Sequence, residues 1–312
     1  MGELSPDKLG RQDKETTERM TIDDFLNYLR YERNYSERTV QSYGEDLGRF
    51  ETFFKSQDGG LTWESVDSDV VRDWVEYLMD RGNNATSIKR RLSALRSFYR
   101  FALSRGYVTH DPARRVENPK GERALPQFLR ESEMDTLLDD VAWSNDYNNV
   151  RARTIILLFY ETGLRLAELI GLDDGSIDWE AGQLKVTGKR NKQRLIPFGR
   201  EVNDALRHYI EVRDTQVPRN CPALFVTRQG ERMNHNQVRY EVKKNLTRVS
   251  SLKKRTPHVL RHTFATAMLN HEAGLESVKK LLGHESLMTT EIYTHTTFEQ
   301  LKKVYEHAHP RS

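Results

Sequence analysis

Apolar positions recur at helical spacing along most of this chain, and one short interval alternates as strands do. MTIDDFLNYLRYE opens on Thr21 with Asp24 three residues on, a capping-box-like start, and carries Leu26 and Leu29 at helical spacing. SERTVQSYGEDLGRFETFF offers Ser36 as an N-cap and aligns Val40, Tyr43, Leu47 and Phe50 in one stripe. DSDVVRDWVEYLMDRG predicts a third helix, from Asp67 or Ser68 to a stop at Gly82. NATSIKRRLSALRSFYRFALSRG predicts a fourth, with Ile88, Leu92, Leu95, Tyr99 and Ala102 on its inner face. Lys89, Arg90, Arg96 and Arg100 fall mainly on its other faces. Residues 20–105 thus predict a compact all-helical domain.

Residues 106–127 hold Pro112, Pro119, Gly121 and Pro126, which disfavour helix, and several basic residues; they are expected to form a linker. A second domain is expected over 128–312. In it, RARTIILLFYETG predicts a buried helix ending at Gly163. SIDW, QLKVTG and RLIPFG predict three short strands, parted by EAG and the basic turn KRNKQ. Beyond residue 201 the pattern is again mostly helical. The expected fold is mainly α with a small antiparallel sheet, of the α+β class.

Composition narrows the setting. The chain has 312 residues, room for two domains, and 30% of them are charged. The net charge is only +3, so any polyanion partner must be recognised by local clusters. A single cysteine, Cys221, excludes an internal disulfide and fits a reducing, cytoplasmic setting. The longest apolar run, IILLFY, is far too short to span a bilayer. Residues 1–19 carry no hydrophobic signal segment and no myristoylation pattern, since position 6 is Pro6; they are expected to be a mobile polar tail.

Five stretches carry candidate chemistry. In TGLRLAEL, Arg165 follows the helix-ending glycine, and a surface ion pair with Glu168 is the simplest account of it alone. In VTGKRNKQR, Lys189, Arg190, Lys192 and Arg194 crowd a hairpin tip, a cluster suited to phosphates. In RTPHVLRHTFAT, Thr256 and Pro257 start a helix whose first turn carries His258 and Arg261, where anions are favoured. His258 and His262 have the spacing of a zinc helix, but Val259 stands where a zinc protease needs glutamate. In LLGHES, Gly283 ends one helix, His284 sits in the corner and Ser286 caps the next. Tyr293 lies two turns into that next helix.

A phenol with an ordinary pKa near 10 attacks poorly at neutral pH. Two guanidiniums can hold the non-bridging oxygens of a phosphodiester and favour phenolate, while an ammonium can protonate the leaving oxygen. The set Arg165, Lys189, His258, Arg261, His284 and Tyr293 therefore suits phosphoryl transfer to tyrosine, and it lacks the clustered carboxylates of a two-metal nuclease.

With these residues together, TGLRLAEL, TGKRNKQRLIP, HVLRHTFAT, LLGHESLMTTEIYTH and the terminal HPR resemble the motifs of tyrosine recombinases of the Xer type. RNYSERTVQSYGEDLGRF and RRLSALRSFYRF resemble that family's helical, SAM-like core-binding domain, so the likeness runs over roughly residues 20–311. The resemblance implies a C-shaped clamp of two domains on double-stranded DNA. It implies that Tyr293 attacks the scissile phosphate to form a 3′-phosphotyrosyl link. Arg165, Arg261 and His284 then hold the phosphate, His258 helps take the tyrosine proton, and Lys189 protonates the 5′ oxygen. It implies no cofactor, metal or ATP, and a homo- or hetero-tetramer on two duplexes. A second Xer-type recombinase or a DNA translocase is a candidate partner. The terminal helix, here FEQLKKVYEHA with Phe298, Leu301, Val304 and Tyr305 in a stripe, is expected to dock on a neighbouring subunit.

Two positions depart from the family pattern: Ala167 replaces a common serine, and Arg190 replaces the glycine usual after the lysine. The length leaves no room for an extra arm-binding domain. Helical phase nominates Arg38, Lys89, Arg90, Arg96 and Arg239 as further DNA contacts, beside Arg190 and Lys192 of the basic turn. The expected role is dimer resolution of a chromosome or plasmid. An integrase of a mobile element and a non-catalytic DNA-binding protein are the alternatives.

Overall fold

A computed structural model describes residues 20–121, 127–188, 191–283 and 295–311, with only the backbone for 295–299. The N-terminal tail, Lys189, Arg190, His284, Ser286 and Tyr293 lie outside the described residues, as does the side chain of Phe298. The chain divides into two compact units, residues 1–124 and 125–312.

The first unit is helical. Helix α1 (Ile22–Asn27) begins on the expected capping box: the Asp24 N–H donates to Thr21 Oγ1 at 3.2 Å and the Thr21 N–H to Asp24 Oδ2 at 2.9 Å. It widens into a π turn over Tyr28–Glu32. Helices α2 (Glu37–Gln57), α3 (Ser68–Asp80) and α4 (Ala85–Ser104) start on Ser36, Asp67 and Asn84, whose side chains accept the first free N–H groups. The α4 face from Ile88 to Ala102 is fully buried, as its period predicts. It meets Val40, Leu47, Phe50 and Trp74 of α2 and α3. Trp63 fills the centre, 4.4 Å from the Phe98 ring, and its carbonyl accepts from the Tyr99 hydroxyl at 3.1 Å. Each such apolar side chain contributes about 1.5–3 kcal/mol on burial.

The second unit is built around helix α6 (Tyr147–Thr162), nearly all of which is buried. A short helix α5 (Glu131–Asp135) and a π turn precede it, and helix α7 (Leu166–Ile170) follows. Strands β1 (Ile177–Asp178), β2 (Gln183–Thr187) and β3 (Gln193–Pro197) form one antiparallel sheet in that order. Leu184 pairs with Ile196 and Val186 with Arg194. Helices α8 (Arg200–Gln216), α9 (His235–Leu246) and α10 (Pro257–Asn270) all pack on α6. Helices α11 (Leu275–Leu282) and α12 (His295–Ala308) complete the unit among the described residues.

The α12 stripe is covered within its own chain. Leu301, Tyr305 and Ala308 are buried with Phe264, Met268, Leu281 and Leu282. The tail beyond it is fixed as well: Arg311 donates to Asp139 and Glu201, and the His309 ring stacks on Tyr305 and Phe264. Among the described residues, no helix is long and apolar enough to cross a membrane. The fold is thus mainly helical with a small three-stranded sheet, matching the pattern of apolar positions.

Candidate active site

The site begins where α6 stops. Gly163 adopts a left-handed conformation (φ 60°) that ends the helix and reverses the chain. No larger residue fits, because an added Cβ would sit 2.5 Å from Phe264 and 2.8 Å from Leu282. The reversal buries Leu164 and sets Arg165 at the N-cap of α7. Arg165 Nη1 donates to Glu168 Oε1 and Nη2 donates to the Gly283 carbonyl, both at 2.8 Å.

Arg261 arrives from the second turn of α10 and is 8% exposed. It donates to the Gly163 carbonyl and, at 2.6 Å, to the Leu282 carbonyl. The two guanidiniums therefore rest on consecutive carbonyls, 282 and 283, at the C-terminal end of α11. That end carries the negative pole of the helix and welcomes cations. Burial, then the charge of Arg165, pushes the Arg261 pKa down to about 10. Two like charges held this way favour an anion that both can touch.

His258 sits one turn earlier on α10, with part of its surface open to solvent. Burial of the rest, then the charges of His262, Arg261, Arg239 and Arg165, holds it below the ordinary imidazole value. The ring is therefore neutral near pH 7 and able to accept a proton. Arg165, His258, Arg261 and Arg239 thus gather in one electropositive region. Among the described residues no group of three His, Cys, Asp or Glu is placed to hold a metal ion.

The basic turn lies between β2 and β3, where the Gly188 N–H donates to the Lys192 carbonyl at 2.7 Å. The Lys192 side chain is exposed. Arg194, read from the sequence as part of that exposed tip, is instead buried, with its side chain 8% exposed. It occupies the inward position of β3 beside Ile196, and charge alone had grouped it with its neighbours. Its partner Glu168 is buried too, 3% exposed, and not the surface residue the simplest account made it. Burial pushes the Glu168 carboxyl up, but hydrogen bonds from Arg194 and Arg165 outweigh this and leave it below its usual range.

The other nominated contacts differ in how free they are. Arg38, Lys89 and Arg239 are exposed. Arg90 donates to Ser42 and to the buried carboxylate of Asp46, which leaves it only partly free. Arg96 is committed inside its own unit: it donates to the carbonyls of Ala113 and Val116 and to Asn118 Oδ1, pinning the segment after α4.

Comparison with known proteins places the chain in a family. Residues 127–300 match the phage integrase family and residues 22–106 the phage integrase N-terminal SAM-like domain. The tyrosine recombinase XerC of Chlorobaculum parvum is 38% identical over 96% of this chain and 97% of its own length. The tyrosine recombinase XerD of Oceanobacillus iheyensis is 36% identical over 93% and 98%. In fold, the chain resembles the XerH site-specific recombinase solved on a palindromic difH substrate, with a TM-score of 0.68 at 21% identity over 91% of this chain and 83% of that one. It also resembles the Tn1549 transposon integrase solved with transposon right end DNA, with a TM-score of 0.69 at 19% identity over 91% and 99%. The chain belongs to the phage integrase family, as a site-specific tyrosine recombinase of the Xer type.

Proposed function

We propose that this recombinase cuts and rejoins double-stranded DNA with Tyr293 as its nucleophile, and that it resolves dimers of a chromosome or plasmid. The phenol oxygen of Tyr293 bonds to phosphorus as the bond to the 5′ oxygen breaks, giving a 3′-phosphotyrosyl link. His258 takes the phenol proton and Lys189 gives one to the 5′ oxygen. Arg165, Arg261 and His284 stabilise the charge on the non-bridging oxygens. A 5′ hydroxyl from the partner duplex then reverses the steps, so the bond energy is conserved without ATP.

One observation carries this reading: Arg165 and Arg261 rest on the consecutive carbonyls of Gly283 and Leu282, immediately before His284. Whatever anion both arginines touch lies at the start of the segment that bears His284 and Tyr293.

Each exchanged strand needs its own tyrosine, and exchange between two duplexes makes the working unit a tetramer. It forms from one recombinase or from two related ones, and α12, which packs on its own unit in the single chain, is the element assigned to leave that seam and dock on a neighbour in the tetramer. Residues 20–105 are assigned to grip DNA together with the catalytic residues 128–312, in a cytoplasmic setting. Arg38, Lys89, Arg190, Lys192 and Arg239 are assigned to the phosphate backbone, with a smaller share for Arg90.

The test is a nicked suicide duplex carrying a site that the protein itself selects from random-sequence DNA. The wild type is expected to form a covalent protein–DNA adduct and Tyr293→Phe none. Absence of the wild-type adduct overturns the enzymatic reading, and an adduct with Tyr293→Phe reassigns the nucleophile. Lys189→Ala is expected to slow cleavage of ordinary DNA far more than of DNA with a 5′ thiol leaving group.

A further inference from the structure

Arg194 lies outside the set of six residues assigned to the reaction, yet it touches two of the segments that carry them and lies on a third. Its Nη1 and Nη2 donate to Glu168 Oε1 and Oε2 at 2.5 and 2.9 Å, a bidentate pair buried on both sides. Its Nε donates to the Leu281 carbonyl at 3.3 Å. Its Cδ, Nε and Cζ lie so close to Gly283 that a Cβ there would be 3.2–3.3 Å from them. On β3 it stands a few residues after Lys189. A buried ion pair is commonly no more stabilising than apolar residues of the same volume, so stability is a weak account of this one.

The charges give a better account. Glu168 also receives the Arg165 N–H and Arg165 Nη1, each at 2.8 Å. With Arg194 present, the two arginines and one carboxylate sum to a single positive charge. Without it, Glu168 neutralises Arg165 outright, and a phosphate meeting Arg165 meets the carboxylate as well.

We infer that Arg194 is a positioning residue for strand cleavage: it occupies Glu168 so that Arg165 keeps its charge for the scissile phosphate, and it holds the end of α11 against that pair. The inference rests on the recombinase reading above. It predicts that Arg194 acts on the phosphate and not on the leaving group.

The test uses the full chain on the nicked suicide duplex at saturating protein, where wild-type adduct formation first establishes the reaction. Arg194→Met is expected to slow cleavage by about 100-fold, the scale set by loss of one charge-stabilising contact. The loss should be equal on ordinary and 5′-thiol substrates, with DNA affinity within about threefold of wild type, because the phosphate contacts elsewhere are intact. Arg194→Met combined with Glu168→Gln, which restores the single positive charge, is expected to recover about tenfold or more. Arg194→Lys keeps that charge and is expected to retain most of the rate. Wild-type cleavage by Arg194→Met overturns the inference. So does full restoration of that variant by the 5′ thiol, which would place Arg194 behind Lys189. So does an Arg194→Lys protein that melts like wild type yet cleaves as slowly as Arg194→Met. If Arg194→Met does not fold, the Lys variant and the double variant decide the matter. If wild type itself gives no adduct, the recombinase reading has failed and not this one.

Discussion

The Tyr305 hydroxyl donates a 3.1 Å hydrogen bond to Glu161, joining α12 to the central helix α6. Glu161 is fully buried, and its second oxygen, Oε1, finds no hydrogen-bond partner among the described residues. Burial, and then the charge of Glu201, pushes its pKa up to about 8, so the carboxyl is neutral at pH 7. The unfolded chain ionises this group in the ordinary carboxylate range, while the folded chain keeps the proton. Its contribution to stability is therefore complete below that range and is lost as pH rises toward 8. The slope is about 1.4 kcal/mol per pH unit. Thermal unfolding between pH 5 and 9 should show this fall, and Glu161→Gln should flatten it. An equal fall in the variant would mean another group is responsible.

The seam around Tyr305 was only half legible in the sequence. The stripe of Leu301, Val304 and Tyr305 announced a helix with a face to bury, but periodicity does not say which surface receives it. In the single chain its own unit does. The same limit hid Arg194. Strand alternation with Ile196 could have marked it as inward, yet its partners Glu168 and Leu281 lie 26 and 87 residues away. Local signals fared better: the capping box at Thr21, the Gly163 stop, the three strands and the α4 core face all depend on neighbours in the chain. Arg165, His258 and Arg261 were legible because each sits at a helix end that glycine or proline announces.

Gly163 links stability to the site. Alanine there must adopt a left-handed conformation and press on Phe264 and Leu282. Conformation and overpacking together should cost on the order of 2–4 kcal/mol in urea unfolding. The Gly163 carbonyl also accepts from Arg261, so cleavage under conditions where the variant is folded should fall as well. A variant with wild-type stability would contradict the tight packing at this turn.

His258 should set an acid limb in cleavage. Its pKa lies below the ordinary value, from burial first and then from the positive neighbours, so the neutral base survives to lower pH than usual. At subsaturating DNA, the rate is expected to hold at neutrality and to fall only once pH drops below the ordinary imidazole range, since this regime reports the free enzyme. Arg239 is one of the charges that lower it, so Arg239→Ala should move the limb to higher pH. A limb unmoved by that change, or absent in the wild type, would remove His258 from the role of base.

Arg96 and Arg239 were nominated alike as DNA contacts, and their surroundings now separate them. Arg239 is an exposed residue of α9 on the His258 side of the unit. Arg239→Ala should leave the melting temperature unchanged and reduce the slope of log affinity against log salt by about 1, as loss of one phosphate contact requires. Arg96 holds two carbonyls and Asn118 within the first unit. Its loss strands those acceptors, so Arg96→Ala should cost about 2–4 kcal/mol of stability, on the scale of hydrogen bonds to a charged donor. Its salt slope should stay near the wild-type value. Calorimetry and a salt titration on both variants check the pair. If Arg96→Ala changed the salt slope and left stability intact, its guanidinium would belong to the DNA interface after all.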